Sequence, residues 1–365
     1  MTKPLSFIIV VFLLASGCGG GFRSASTSKS FTAAAQIGEL VDFTIDQTAL
    51  TYSYTIKKSA FGCDVASADC HTGSGTLTLN SDGSYSPSQF PNSIIHSLSN
   101  GLMIGSVKVP VNGTNIVVPV TGLQNPATTL ADIADAGGTI YNWVEYQCQT
   151  AGNNCLSKVG TIKINIDGTF YACSGYNLGD ASGVGAYSGN AANCTAANTG
   201  TGSLTNNNDG TWAINYSVGS NSYKAGNLIA FKDLTSGQRV AIMDINDTTN
   251  TWANNGWGTG SLVASTQITV VPTNVIGIWN TNGSGQERNK ITVTANDASS
   301  VSFSSVLYPP DGGAQTTNTG TLTLNSPWTG ISFHQTGGEY VIMSGTGMYN
   351  LVLPGMNYFE TGYKQ

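Results

Sequence analysis

The sequence predicts an all-β chain: tandem antiparallel meander modules, small barrels or sandwiches built from Asp-Gly hairpins, with one short helix. The first observation is a repeated unit. Its clearest copy, G-T-I-K-I-N-I-D-G-T-F from Gly160 to Phe170, alternates apolar and polar residues, turns, and restarts on an aromatic. Ile162, Ile164 and Ile166 share one face because strand side chains alternate with period two. Asp167-Gly168 suits a tight hairpin turn with positive φ, which Gly adopts freely and Asp tolerates. The second observation is recurrence. G-T-L-T-L-N-S-D-G-S-Y starts at Gly75 and G-S-L-T-N-N-N-D-G-T-W at Gly202, with looser copies from Gly105 and Gly320. The third is composition. Only 9 % of residues are charged, against about 25 % in typical soluble proteins. Asn, Thr, Ser and Gly fill the polar positions, and 40 % hydrophobic content is enough to build cores.

Met1 to Cys18 carries Lys3, then an apolar run from Leu5 to Ala15 that is shorter than the roughly 20 residues a spanning helix needs. It ends in Leu14-Ala15-Ser16-Gly17-Cys18. This resembles the lipobox of bacterial lipoprotein signal peptides, although Ala15 stands where that box usually has Leu. The resemblance covers residues 1–18 alone. It implies that Cys18 is acylated, becomes the mature N-terminus and anchors the chain in a membrane by its lipid chains. Gly19, rather than Asp, follows the cysteine, which by the same resemblance implies the outer membrane, on its periplasmic or its outward face. The alternative is an ordinary cleaved signal peptide with Cys18 incidental.

Residues 18–37 are rich in Gly, Ser, Thr and Ala and are expected to form the lipidated Cys and a flexible tether. The first β module then spans 38–124. A second, 125–267, opens on the one expected helix within Asn125 to Gly138, with Asn125 as cap, Pro126 at the first helical position and Gly137 at the end. Val270-Val271-Pro272-Thr273 marks the start of a third module, 268–365. The likeness of G-Q-R-V-A-I-M from Gly237 to G-G-E-Y-V-I-M from Gly337 suggests a duplication across modules two and three. Uneven intervals between units argue against a propeller or solenoid.

Two short resemblances accompany these modules. The Gly75 hairpin looks like those of bacterial adhesin repeats. The helix, Gly and Trp143, and likewise Gly277-x-Trp279, look like the opening strand of lipocalin-like (calycin) barrels. Neither resemblance brings a function with it.

Seven cysteines less Cys18 leave Cys63, Cys70, Cys148, Cys155, Cys173 and Cys194. An even remainder in an exported chain points to disulfides. Six cysteines permit many pairings; proximity favours Cys63–Cys70, Cys148–Cys155 and Cys173–Cys194. Zinc is a poor rival, because no C-x-x-C exists and His71, His96 and His334 are scattered.

A formal charge of −6 without a Lys/Arg cluster argues against nucleic acid, which demands phosphate neutralisation. No G-x-S-x-G, H-E-x-x-H or P-loop is present. Asp82, Asp167 and Asp209 are explained as turn residues. Asp244, Asn246 and Asp247 could offer oxygens to a calcium ion, but the stretch lacks the Gly and late Glu of an EF-hand loop and serves equally as a polar turn. No cofactor is expected.

The sharpest functional expectation is T-W-A-N-N-G-W-G from Thr251. Trp252 and Trp257 offer flat apolar faces to sugar rings, and Asn254 and Asn255 offer amides to hydroxyls. The bland alternative folds both tryptophans back as a lid on module two. The leading expectation is thus a lipid-anchored, non-enzymatic protein with a glycan or protein partner. The alternatives are a hydrolase whose site no motif reveals, marked by a His or two carboxylates in a pocket, and a lipocalin-like carrier, marked by an internal apolar cavity.

Overall fold

The computed structural model describes residues 28–58, 72–111, 114–150, 153–175, 199–218, 221–246 and 258–365. These form three sheets, each of eight antiparallel strands in meander order. The first holds β1 (Ser28–Ala35), β2 (Glu39–Asp46), β3 (Thr51–Lys58), β4 (Thr72–Leu79), β5 (Tyr85–Pro87), β6 (His96–Ser97), β7 (Leu102–Val111) and β8 (Thr114–Leu123). Its order is β5-β4-β3-β2-β1-β8-β7-β6, and Tyr85 and Ile95 exchange both backbone hydrogen bonds to bring the two edges together.

The second is a closed barrel of β9 (Thr139–Thr150), β10 (Asn153–Ile164), β11 (Thr169–Ser174), β12 (Thr199–Asn206), β13 (Trp212–Val218), β14 (Asn221–Lys232), β15 (Arg239–Asn246) and β16 (Thr259–Thr266). The third is a closed barrel of β17 (Gly277–Gly283), β18 (Arg288–Ala295), β19 (Ser300–Tyr308), β20 (Thr316–Leu324), β21 (Ser332–His334), β22 (Tyr340–Met343), β23 (Met348–Val352) and β24 (Phe359–Lys364). Closure satisfies the strand edges that an open sheet would leave bare.

The repeated unit has a structural cause at both ends. At its turn, Gly83, Gly168 and Gly210 have φ of 82°, 83° and 83°, while the preceding aspartates do not enter the left-handed region. The Asp-Gly pair is therefore not a two-residue turn with both residues at positive φ. It closes a longer turn in which the Gly is left-handed, joined in the third copy by Asn208 at φ 62°. The Asp carboxylate instead accepts from the residue after the Gly: Thr169 N and Oγ1 reach Asp167 Oδ1 at 2.9 and 2.6 Å. The same pair of bonds joins Ser84 to Asp82 and Thr211 to Asp209. Those hydrogen bonds hold the exposed Asp167 carboxyl below its ordinary range.

At its head, the Gly lies beneath an aromatic ring on the neighbouring strand. Gly75, Gly202 and Gly320 stand directly opposite Tyr52, Phe170 and Phe303. A methyl group at any of the three would come closer than 3.0 Å to the opposing ring. Each pair joins the third and fourth strands of its sheet. Gly160 lies likewise opposite Trp143, between the first and second strands of the second barrel. Rings laid over glycines cover bare backbone and fix register. By contrast, the Gly237 and Gly337 stretches lead into β15 and β22, the seventh and sixth strands of their barrels. They are not equivalent positions.

Three local expectations are corrected. Ser28–Ala35, placed in the flexible tether, is β1, between β2 and β8. Phe31, Ala33 and Ala35 are buried there, and alanines give too weak a hydrophobic alternation to announce a strand. The expected helix shrinks to α1 (Leu130–Ile133), with Thr129 rather than Asn125 at the cap position. Ala127 is drawn onto the second barrel instead: its N–H reaches Ala230 O at 2.6 Å, and Trp212 Nε1 reaches its carbonyl at 2.9 Å. A second helical turn, α2 (Pro272–Val275), lies where only a boundary was read.

The three sheets share one central core. Outward faces of the second and third barrels (Val144, Ile242, Val263; Tyr340, Val352, Phe359) join the apolar residues of the first sheet. Polar contacts fasten the seams. Thr121 Oγ1 and Thr361 Oγ1 are 3.0 Å apart. Asn282 bonds Ile94 N and O and Gly105 O. Ser157 N and O bond Met356 O and Gly355 N, both at 3.0 Å. Buried Trp328 donates to Asn142 at 2.9 Å.

Candidate ligand cavity in the third barrel

The second and third barrels are plugged at one end in the same way. In the second, α1 lies under the barrel, Tyr141 OH donates to Ile133 O, and Arg239 Nε reaches Asp132 O at 3.0 Å. Arg239 also forks onto Asp135 at 3.0 and 2.6 Å. In the third, α2 is the plug. Trp279 is fully buried and donates to Val275 O at 2.8 Å, while Lys364 Nζ reaches Asn274 O at 2.9 Å and lies 5.9 Å from the Trp279 ring.

The interiors differ. An eight-stranded barrel is just wide enough for side chains to fill it, or for one small ligand. Large rings, Tyr141, Trp143, Phe170 and Trp212, crowd the second. The third relies on Val275, Ile291, Val293, Val301, Leu322 and Val341 around Trp279, Phe303 and Tyr349. The space these smaller residues leave is a cavity of about 530 Å³. Its opening follows from unequal strand lengths. β20 pairs with β21 only through Leu322, Thr323 and Leu324. The exposed residues Thr317, Asn318 and Thr319, beyond that pairing, border the cavity.

Polar groups gather toward the end away from α2. Glu360 points inward from the start of β24 and is buried. Its Oε1 accepts from Tyr358 OH and Asn289 Nδ2, and its Oε2 accepts from Thr281 Oγ1 at 3.1 Å. Burial outweighs these three donors and pushes the Glu360 carboxyl up to about 7, with Glu287 beside it adding to the shift. Burial also raises Glu287. Tyr349 and Tyr358 are held well above the usual phenol range by burial and by neighbouring carboxylates. Asn289 Oδ1 and Glu287 Oε1 are buried acceptors with no partner. On the far wall His334 Nδ1 lies 2.7 Å from Glu339 Oε2, and the ring stands edge-on to Phe303.

Cys18, Cys63, Cys70, Cys194, Asp247, Trp252, Asn254, Asn255 and Trp257 lie outside the described residues. Cys148 and Cys155 form a disulfide that links β9 to β10. Cys173, on β11, is also disulfide-bonded. Asp244 is not in a turn: it lies fully buried in β15, on the seam with the first sheet. Asn227 Nδ2 donates to it at 3.1 Å, and Lys58 Nζ reaches Asn227 Oδ1 at 2.8 Å. Burial pushes its carboxyl up to about 7 against both. Among the described residues no three His, Cys, Asp or Glu are grouped to hold a metal.

Sequence reasoning missed Glu360, Asn289, Tyr358 and Glu287 because each belongs to a different strand or turn. Only closure of the barrel brings them together. No family model matches the chain, and no curated protein matches it.

Proposed function

We propose that the chain is an exported, lipid-anchored binding protein that holds a small, largely apolar ligand inside its third barrel. The cavity of about 530 Å³ carries this reading. It falls within the roughly 300–1,000 Å³ of small-molecule pockets and pairs apolar walls with a few convergent polar groups. The stretch of β20 that β21 leaves unpaired, bordered by Thr317, Asn318 and Thr319, gives it an entrance. The lipobox resemblance at Cys18 supports anchoring to the outer membrane. The test is fluorescence of N-phenyl-1-naphthylamine, a neutral apolar probe. Enhancement by the wild type, lost on Leu322→Trp with far-UV circular dichroism unchanged, is expected. No enhancement by a folded wild type removes the reading. For the anchor, labelled fatty acid should enter the wild type and not Cys18→Ala.

A hydrolase is the second reading, favoured by the 2.7 Å contact of His334 Nδ1 with Glu339. That contact leaves Nε2 available as a base. Ester turnover that His334→Ala abolishes would support it. The Trp252–Trp257 loop as a glycan site is tested separately, on a glycan array with the double alanine variant.

A further inference from the structure

We infer that the ligand of the third barrel carries a protonated amine, seated at Asn289 and Glu360, with its apolar part running inward along Ile291, Phe303 and Leu322. This rests on the reading of the barrel as a ligand cavity and names the class of ligand it takes.

Three observations point the same way. The first is charge. Glu339 and Glu360 border the cavity, Glu287 lies beside Glu360, and no Lys or Arg is among the lining residues. An anionic head would therefore find no cation to pair with and would compete with Glu360 for the same donors. The second is the sense of the unmet hydrogen bonds. Asn289, which lines the cavity, is 3 % exposed and carries a buried oxygen without a donor. A buried acceptor left unpaired costs free energy, so the vacancy calls for donors. Glu360 uses three acceptor positions of the roughly four a carboxylate has. An ammonium brings three N–H donors and a charge; an alcohol brings one donor and none. The third is the orientation of the neighbours. Tyr358 OH, Thr281 Oγ1 and Asn289 Nδ2 all aim hydrogens at Glu360, which favours a hydrogen-bonding cation over a bare metal ion needing those same lone pairs.

The arrangement is amphipathic along the barrel. The polar cluster sits on β18 and β24 near the turns that join β17 to β18 and β23 to β24. The apolar wall continues from it toward Trp279. An ammonium at the cluster favours the ionised form of Glu360, whose carboxyl burial otherwise raises.

The experiment is displacement of N-phenyl-1-naphthylamine from the purified protein by octylamine, octanol and octanoate, at one pH and ionic strength. Octylamine should displace the probe about ten- to a hundredfold more tightly than octanol, with octanoate weakest, as a charge-assisted hydrogen bond predicts. Glu360→Gln should bring octylamine to the level of octanol, each read against the same variant's own probe affinity. Asn289→Leu should weaken octylamine more than octanol. Equal displacement by all three, preference for octanoate, or a preference for amine that survives Glu360→Gln overturns the inference while the cavity reading stands. Failure of the wild type to bind the probe at all overturns both.

Discussion

Replacing Gly160 by alanine places a methyl carbon closer than 3.0 Å to the carbonyl oxygen of Cys173 and to the Trp143 ring. Two factors set the magnitude. The ring can shift, and overpacking relieved by a side chain costs about 1–3 kcal/mol. The carbonyl cannot shift alone, because Cys173 belongs to β11, which pairs on both sides with β10 and β12. Relief therefore requires moving a strand of a closed barrel. Against this, alanine stiffens the unfolded chain and returns about 0.4–1 kcal/mol. The expected net loss is at least about 2 kcal/mol, or a fall in Tm of roughly 3 °C or more for a cooperative unit of this size. Thermal unfolding followed by near-UV circular dichroism reads the loss and the Trp143 environment together. Gly137→Ala is the control. Nothing lies within 4 Å of its added carbon, so its effect should stay within about 0.5 kcal/mol. Gly320→Ala is the intermediate case: its closest neighbours are the His334 and Phe303 side chains alone. Phe303→Leu should recover part of its loss, whereas no side-chain change should recover Gly160→Ala fully. Equal stability of Gly160→Ala and Gly137→Ala would refute the view that the unit leads with glycine to admit a ring.

Two further predictions concern stability. Burial raises the folded pKa of Asp244 from its ordinary value of 3.8 to about 7. Its contribution is therefore fully present below the unfolded value and is lost as pH rises through 7. The shift corresponds to a loss on the order of 4 kcal/mol. Asp244→Asn should thus lie near the wild type at pH 4 and above it at pH 8 in urea unfolding, and a gap that does not grow with pH sinks the assignment. Reduction of Cys148–Cys155, which closes a short loop with a sequence separation of 7, should cost about 2–3 kcal/mol by loop-closure entropy. Cys155→Ser compared with the oxidised wild type measures it, and an unchanged urea midpoint counts against that account.

The sequence by itself determined the all-β class, the hairpin as building unit and the turn glycines. These are local properties: a period of two, a left-handed residue, a carboxylate two residues before its N–H donor. It also marked Gly277-x-Trp279 as an opening strand, though not the helical turn α2 beneath it. What only the tertiary structure decided is why the hairpins begin with glycine, since Phe303 and Gly320 are opposite each other only after β19 and β20 pair. It decided that Ser28–Ala35 is a strand, because its alanines count only once β2 and β8 flank them. It also decided that the third barrel encloses a cavity while large rings crowd the second. That difference depends on which residues meet across a closed ring, and the sequence order of Asn289, Tyr358 and Glu360 carries no sign that they share one cavity.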